Sequence, residues 1–273
     1  MAAKRASNPS ARSPDRSTAG QVIRFTEHAK PKVANPIFVE GLPGIGHVGK
    51  LAAQHIVESG KATLWATLHS PDFPPQVTVG EDGVARLLTV KLWTLPAKGK
   101  SPALVVMTGD AQPQSGPGQW ALVESTLDRL APLGCRELYT LGGYGTGARV
   151  EKPEVLCAVT DKAKATALRK AGLKLSGDES PGGGIIGASG LFLGLAAQRG
   201  WTGACLMGET NGYLVDPKAA RAVLASLGKV LGRAFDLSHL EDTAGELDRI
   251  TAQLHAAMGA AQGSRESTDH YIG

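Results

Sequence analysis

Four times along this chain an apolar run of strand length stops at a glycine-rich turn. The runs are PIFVEG (36–41), PALVVMTGD (102–110), RELYTLGGYGTG (136–147) and TGACLMGETNG (202–212). Runs that are apolar without alternation suit strands covered on both faces, the usual state of a parallel sheet. Helix-like segments separate them, and strands alternating with helices build βαβ units. The chain is therefore expected to be α/β: a three-layer sandwich with a mainly parallel central sheet.

The remaining segments fit that plan. HVGKLAAQHIVES (47–59) reads as a helix and ATLWATLH (62–69) as a strand. Two β-rich runs within residues 76–93 flank Asp82-Gly83, which predicts an antiparallel hairpin with a type I′ turn. A helix follows residue 110, with Trp120, Val123, Leu127 and Leu130 as its apolar face. VLCAVTD (155–161) is a strand, with Thr160 or Asp161 capping a helix through Lys170. Residues 182–200 lead through glycines into a helix that is apolar nearly all round, hence expected to be buried centrally. Residues 216–232 form an amphipathic helix, with Asp216 as cap, Pro217 at its first position, and Ala220, Val223, Leu224, Leu227 and Leu231 inward. A last helix is expected from Ser238 to about Met258, with Leu247, Ile250 and Leu254 on one face. One α/β domain over 31–258 results, between a disordered basic tail (1–30) and a flexible C-terminal tail (259–273).

Charge bears on partners. Residues 1–30 hold six Lys or Arg against Asp15 and Glu27, which equals the +4 of all 273 residues. The rest is neutral, which argues against a nucleic-acid-binding globular domain. Nothing reaches the roughly 18 consecutive apolar residues of a membrane span. A soluble, cytoplasmic protein is expected. Cys135, Cys157 and Cys205 are widely spaced, an odd set that suits buried free thiols in a reducing compartment and no zinc site.

The loop GLPGIGHVGKL (41–51) carries the most motif-like spacing. Gly44, Gly46 and Gly49 satisfy G-x-G-x-x-G, and Gly44–Lys50 satisfies most of a phosphate-binding loop. Leu51 stands where that loop needs a hydroxyl for magnesium. The dinucleotide reading needs an acid after the second strand, and Asp72 lies there inside the turn PDFPP. The bland reading is that the glycines turn the chain and let helix and sheet approach closely. GASG (187–190) lacks the last glycine of a nucleophile elbow, since residue 191 is Leu. His47 and His55 are not spaced as a local metal pair. Asp110, Glu209 and Asp216 follow strands, where α/β active sites lie, but turn and cap roles explain them equally well. Gly44, Gly46, His47, Asp110, Gly143 and Glu209 form the candidate loop site. No catalytic residue, cofactor or metal is assigned.

The ordered set GLPGIGHVGKLAAQHIV (41–57), the hairpin at 82–83, MTGDAQPQ (107–114), YTLGGYGTG (139–147) and residues 182–220 resembles the archaeal-type relatives of proteasome assembly chaperones. The resemblance spans nearly the whole globular part. It implies a fold related to nucleoside phosphorylases, no established catalytic centre, self-association, and capture of 20S proteasome α-subunits by a C-terminal tail. Such tails end hydrophobic–tyrosine–any residue. Here Tyr271 is third from the end, after His270 and before Ile272 and Gly273; these last three residues are the candidate partner-binding group. The resulting expectation is a non-catalytic assembly chaperone or adaptor. The alternative is a nucleoside-like small-molecule binder or enzyme using the glycine-rich loops.

Overall fold

The four apolar runs that stop at glycine lie side by side and parallel at the centre of one sheet. The computed structural model describes residues 23–177, 183–238, 240 and 242–245. In chain order the elements are β1 (Arg24–Glu27), β2 (Ile37–Glu40), a 3-10 turn (Ile45–His47), α1 (Val48–Ser59), β3 (Thr63–His69), β4 (Val77–Val79), β5 (Ala85–Leu87), β6 (Val90–Leu95) and β7 (Leu104–Gly109). There follow α2 (Gly116–Leu130), β8 (Glu137–Gly145), β9 (Val155–Val159), α3 (Lys162–Lys170), β10 (Lys174–Leu175), α4 (Ala188–Gln198), β11 (Thr202–Thr210) and α5 (Pro217–Leu231).

Among the described residues the main sheet has nine strands in the order β1-β3-β6-β7-β2-β8-β11-β9-β10. It is mixed. The centre β7-β2-β8-β11 is parallel, while β1, β3, β6 and β7 pair antiparallel on one flank and β9 runs antiparallel to β11 on the other. Alternate residues of each central strand feed opposite cores, because successive side chains point to opposite faces. Phe38, Leu138 and Cys205 pack under α2 and α4. Val39, Tyr139 and Leu206 pack under α1 and α5. The three layers follow.

Local signals set several elements. The α5 stripe is buried throughout, the Asp216 carboxylate accepts from Ala219 N at 2.9 Å, and Gly232 ends the helix with φ +59°. Asp161, not Thr160, caps α3, accepting from Lys164 N at 2.8 Å.

Other expectations are corrected. The ordered fold begins before residue 31, because β1 is an edge strand paired with β3. Arg129 holds it from α2, lying 3.9 Å over the Phe25 ring and pairing with Glu27 at 2.6 Å. The Asp82-Gly83 hairpin forms, but β4 and β5 make a separate two-stranded ribbon outside the main sheet. Its turn is not type I′: only Gly83 has positive φ (+72°), and its N–H donates to Gly80 O at 2.9 Å. On α2, Val123, Leu127 and Leu130 are buried with Leu122 and Thr126, while Trp120 is 48% exposed. At 100° per residue the buried arc centres away from Trp120, leaving it at the rim. Helix α4 is one-sided rather than central: Phe192, Leu193, Leu195 and Ala196 face the sheet, while Gly194, Ala197 and Gln198 face solvent. Its outer side reads as apolar only because it is built of small residues. Residues 238, 240 and 242–245 are helical, with Leu240 and Ala244 buried. Leu247, Ile250 and Leu254 lie outside the described residues.

Candidate functional site at the carboxyl ends of the central strands

The glycine loop after β2 lies against the ends of β8 and β11. Gly46 (φ +60°) sits within the 3-10 turn, and a Cβ there would lie 2.9 Å from Thr210 Oγ1. At Gly143 a Cβ would run into Ile45 O, and at Gly49 into Leu141 O. Gly46 O accepts from Asp216 N at 2.9 Å. Backbone therefore fills the space between these loops, and Gly49 lets α1 settle onto β8. Gly44 and His47 are exposed beside this contact, His47 in the left-handed region at φ +52°.

The two candidate carboxylates turn away from it. Asp110 Oδ2 accepts from Thr89 N (2.9 Å) and Thr89 Oγ1 (3.0 Å), on the β6 side. Glu209 Oε2 accepts from Glu154 N at 3.1 Å, on the β9 side. Strands β7 and β11 are three strand spacings apart, about 14 Å, too far for both carboxylates to act on one atom. So Gly46 and Gly143 come together with His47 and Gly44 alongside, whereas Asp110 and Glu209 diverge. An apolar groove of about 560 Å³ between the Pro71–Pro75 turn and the ribbon, lined by Arg24, Phe73, Leu87 and Leu88, includes none of the six. Tyr271, Ile272 and Gly273 lie outside the described residues. Among the described residues no cluster of three or more His, Cys, Asp or Glu could hold a metal ion.

Sequence reasoning missed the interior carboxyl. Glu40, the last residue of β2, is fully buried and faces α4 on the same side as Phe38. Its Oε1 accepts from Leu42 N at 2.9 Å and its Oε2 from Ser189 Oγ at 2.8 Å. Register places Met107, Glu40, Thr140 and Cys205 in one row across β7, β2, β8 and β11. Gln112 closes the same corner, donating to Pro43 O at 2.7 Å and accepting from Ala188 N at 2.9 Å. Loop 41–47 is thus tied to the first turn of α4. Burial pushes the Glu40 carboxyl up to about 7, against the pull of its bonds from Ser189 and Leu42. Burial likewise raises the Cys205 thiol to about 12, which leaves it a poor nucleophile. The available signal was a carboxylate at an inward position of the run IFVEG.

A chain with this sheet and these loop contacts can be placed among known proteins. The PAC2 family model matches residues 38–255, and the chain belongs to that family. It is 38% identical over 258 residues to the uncharacterised protein MJ1210 of Methanocaldococcus jannaschii, covering 92% of this chain and 97% of that protein. The crystal structure of Pyrococcus furiosus PbaB, an archaeal proteasome activator, superposes with a TM-score of 0.81 at 35% identity, over 86% of this chain and 99% of PbaB. Pyrococcus furiosus PbaA, an archaeal homolog of proteasome-assembly chaperone, gives 0.73 at 25% identity, over 90% and 96%. The family resemblance read from the sequence agrees with these matches. Among the described residues no helix is long and apolar enough to cross a membrane.

Proposed function

We propose that this chain is a non-catalytic proteasome assembly chaperone or activator-type adaptor, acting in the cytoplasm as a homo-oligomer and engaging 20S α-subunits through Tyr271, Ile272 and Gly273. The observation that carries this reading is the likeness to PbaB over most of both chains. The relation of the fold to nucleoside phosphorylases remains part of the same proposal. Chemistry supports a tail mechanism. An aromatic ring next to an aliphatic side chain forms a compact apolar group for pocket capture. Single tails bind weakly, and several on one oligomer gain strength through effective concentration. The test is a pull-down of proteasome α-subunits from the same organism, with full-length protein and with Tyr271–Gly273 deleted. Loss of capture with an unchanged thermal melt is expected. Equal capture by the truncated chain sinks the tail mechanism, and no capture by the full chain sinks the proteasome reading. The small-molecule alternative gains nothing from loops that fill one another's space.

A further inference from the structure

The chain has three asparagines, and two of them precede proline, Asn8-Pro9 and Asn35-Pro36. The third, Asn211, precedes Gly212 in the loop between β11 and α5. The carbonyl carbon of an asparagine side chain is open to attack by the backbone nitrogen of the next residue. Proline closes that path, having no N–H, and glycine hinders it least, having no Cβ. The surroundings of Asn211 favour the attack. Its Oδ1 accepts two backbone N–H groups, from Tyr213 at 2.9 Å and from Leu214 at 3.2 Å. Those donors polarise the side-chain carbonyl and lie where negative charge gathers when a nucleophile adds to it. The Gly212 N–H belongs to no strand or helix, and its bond to Thr210 Oγ1 is long, 3.4 Å. Its approach is clear: Gly212 holds φ +89°, and even a Cβ there would lie 3.6 Å from the nearest atom. The leaving group is loose, since among the described residues Asn211 Nδ2 makes no hydrogen bond. Asn211 and Gly212 are half-buried, and Tyr213 beside them is 86% exposed, so water reaches the site.

We propose that Asn211-Gly212 is a site of spontaneous covalent modification in the folded protein. Gly212 N bonds to Asn211 Cγ, the Cγ–Nδ2 bond breaks, and a succinimide ring closes. The proton lost by Gly212 N leaves, by way of solvent, with Nδ2 as ammonia. Water, the one co-reactant, then opens the ring. Addition at Cγ breaks the new bond and leaves an aspartate at 211. Addition at the main-chain carbonyl carbon of residue 211 leaves an isoaspartate, whose main chain runs through Cβ and Cγ. The two products act differently on the loop. Aspartate keeps an acceptor for Tyr213 N and Leu214 N and adds a negative charge beside the exposed side chains of Tyr213, Leu214 and Val215. Isoaspartate lengthens the main chain by one carbon between two fixed points, the Thr146 N–Thr210 O bond at 2.8 Å and the Asp216 N–Gly46 O bond at 2.9 Å. It also shortens the side arm, so Tyr213 N and Leu214 N lose their shared acceptor. The loop must then change shape where it meets the glycine turn after β2.

The test is peptide mass spectrometry on the full chain and on a synthetic peptide of residues 208–216, held in the same buffers at pH 6 and pH 8 and sampled over days. Circular dichroism at each sampling shows that the full chain is still folded. Fragmentation at N–Cα bonds tells aspartate from isoaspartate. Expected is conversion at residue 211 in the folded chain at least as fast as in the peptide, with both products present and Asn35, barred by Pro36, unchanged. The rate should rise from pH 6 to pH 8, because Gly212 N must lose its proton to attack. A folded chain that converts more slowly than the peptide overturns the proposal, since the loop then protects the bond. A rate that does not rise with pH overturns the route through Gly212 N. Because the comparison uses the unaltered chain, no variant has to fold for it to be decided.

Discussion

Three carboxylates stand at the same end of neighbouring strands, and their surroundings could hardly differ more. Asp110 and Glu209 lie on the rim and bind nearby backbone N–H groups from the β6 and β9 sides. Glu40 lies between them in the sheet, with no exposed surface, under the first turn of α4. The rim groups match the sequence pattern of an α/β active site, but each is committed to holding a neighbouring strand. The interior group matches no motif, yet it joins the glycine loop to α4. Position at the end of a strand therefore says less about a carboxylate than what packs over it: Glu209 shares its sheet face with Cys205 and Met207, as Glu40 does with Phe38, but only Glu40 is covered by α4.

The largest expected effect separates the interior carboxyl from the other two by pH. The Glu40 carboxyl sits at about 7 in the folded protein against 4.5 without burial. A folded state that holds the proton more tightly is favoured at low pH. The contribution of this group is therefore greatest below about pH 4.5, declines as pH rises through about 7, and is flat above. At about 1.4 kcal/mol per unit, the loss is roughly 3 kcal/mol. Glu40→Gln keeps an acceptor for Leu42 N and a partner for Ser189, and cannot ionise. Urea midpoints at pH 5 and pH 8 should show the wild type losing stability that the variant keeps. Parallel declines in both proteins would mean that Glu40 is not the titrating group.

Ser189→Ala should come next. It strips the donor from Glu40 Oε2 and costs about 1–3 kcal/mol. Because the Ser189 bond pulls the Glu40 carboxyl down, its loss moves the pH window upward. The cost should also be larger at alkaline pH, where the bond meets a charge. Denaturation curves from pH 5 to 9 check this; a cost independent of pH would separate Ser189 from the Glu40 equilibrium.

What could be read from the sequence was mostly local. Helix α5 was legible because Asp216, Pro217 and the stripe from Ala220 to Leu231 lie within one segment. The central strands were legible because a strand covered on both faces must be apolar. Strand β1 was not, since RFTE looks like polar tail and joins the sheet through backbone pairing with β3 and the reach of Arg129. The Glu40 row was not, since Thr140 and Cys205 are set beside it only by register across strands distant in sequence. Trp120 was misplaced for a related reason: its helix has an apolar edge as well as an apolar centre, and only packing tells them apart.

The smallest expected effect belongs to the rim, and it completes the contrast. Asp110 is exposed, so water competes for both of its bonds to Thr89. Asp110→Ala removes an acceptor from groups that solvent can reach, and should cost about 0.5–1.5 kcal/mol. Asp110→Asn keeps an acceptor oxygen for Thr89 N and should cost less. Glu209→Gln likewise keeps an oxygen for Glu154 N and should fall in the same low range. None of the three should disturb the pH window assigned to Glu40, because Asp110 and Glu209 face flanking strands rather than the buried row. The measurement is the same pair of urea curves at pH 5 and pH 8. If Asp110→Asn or Glu209→Gln instead flattens the pH dependence as strongly as Glu40→Gln, the rim and the interior are electrostatically one unit. The division between a structural rim and a proton-holding interior would then fail.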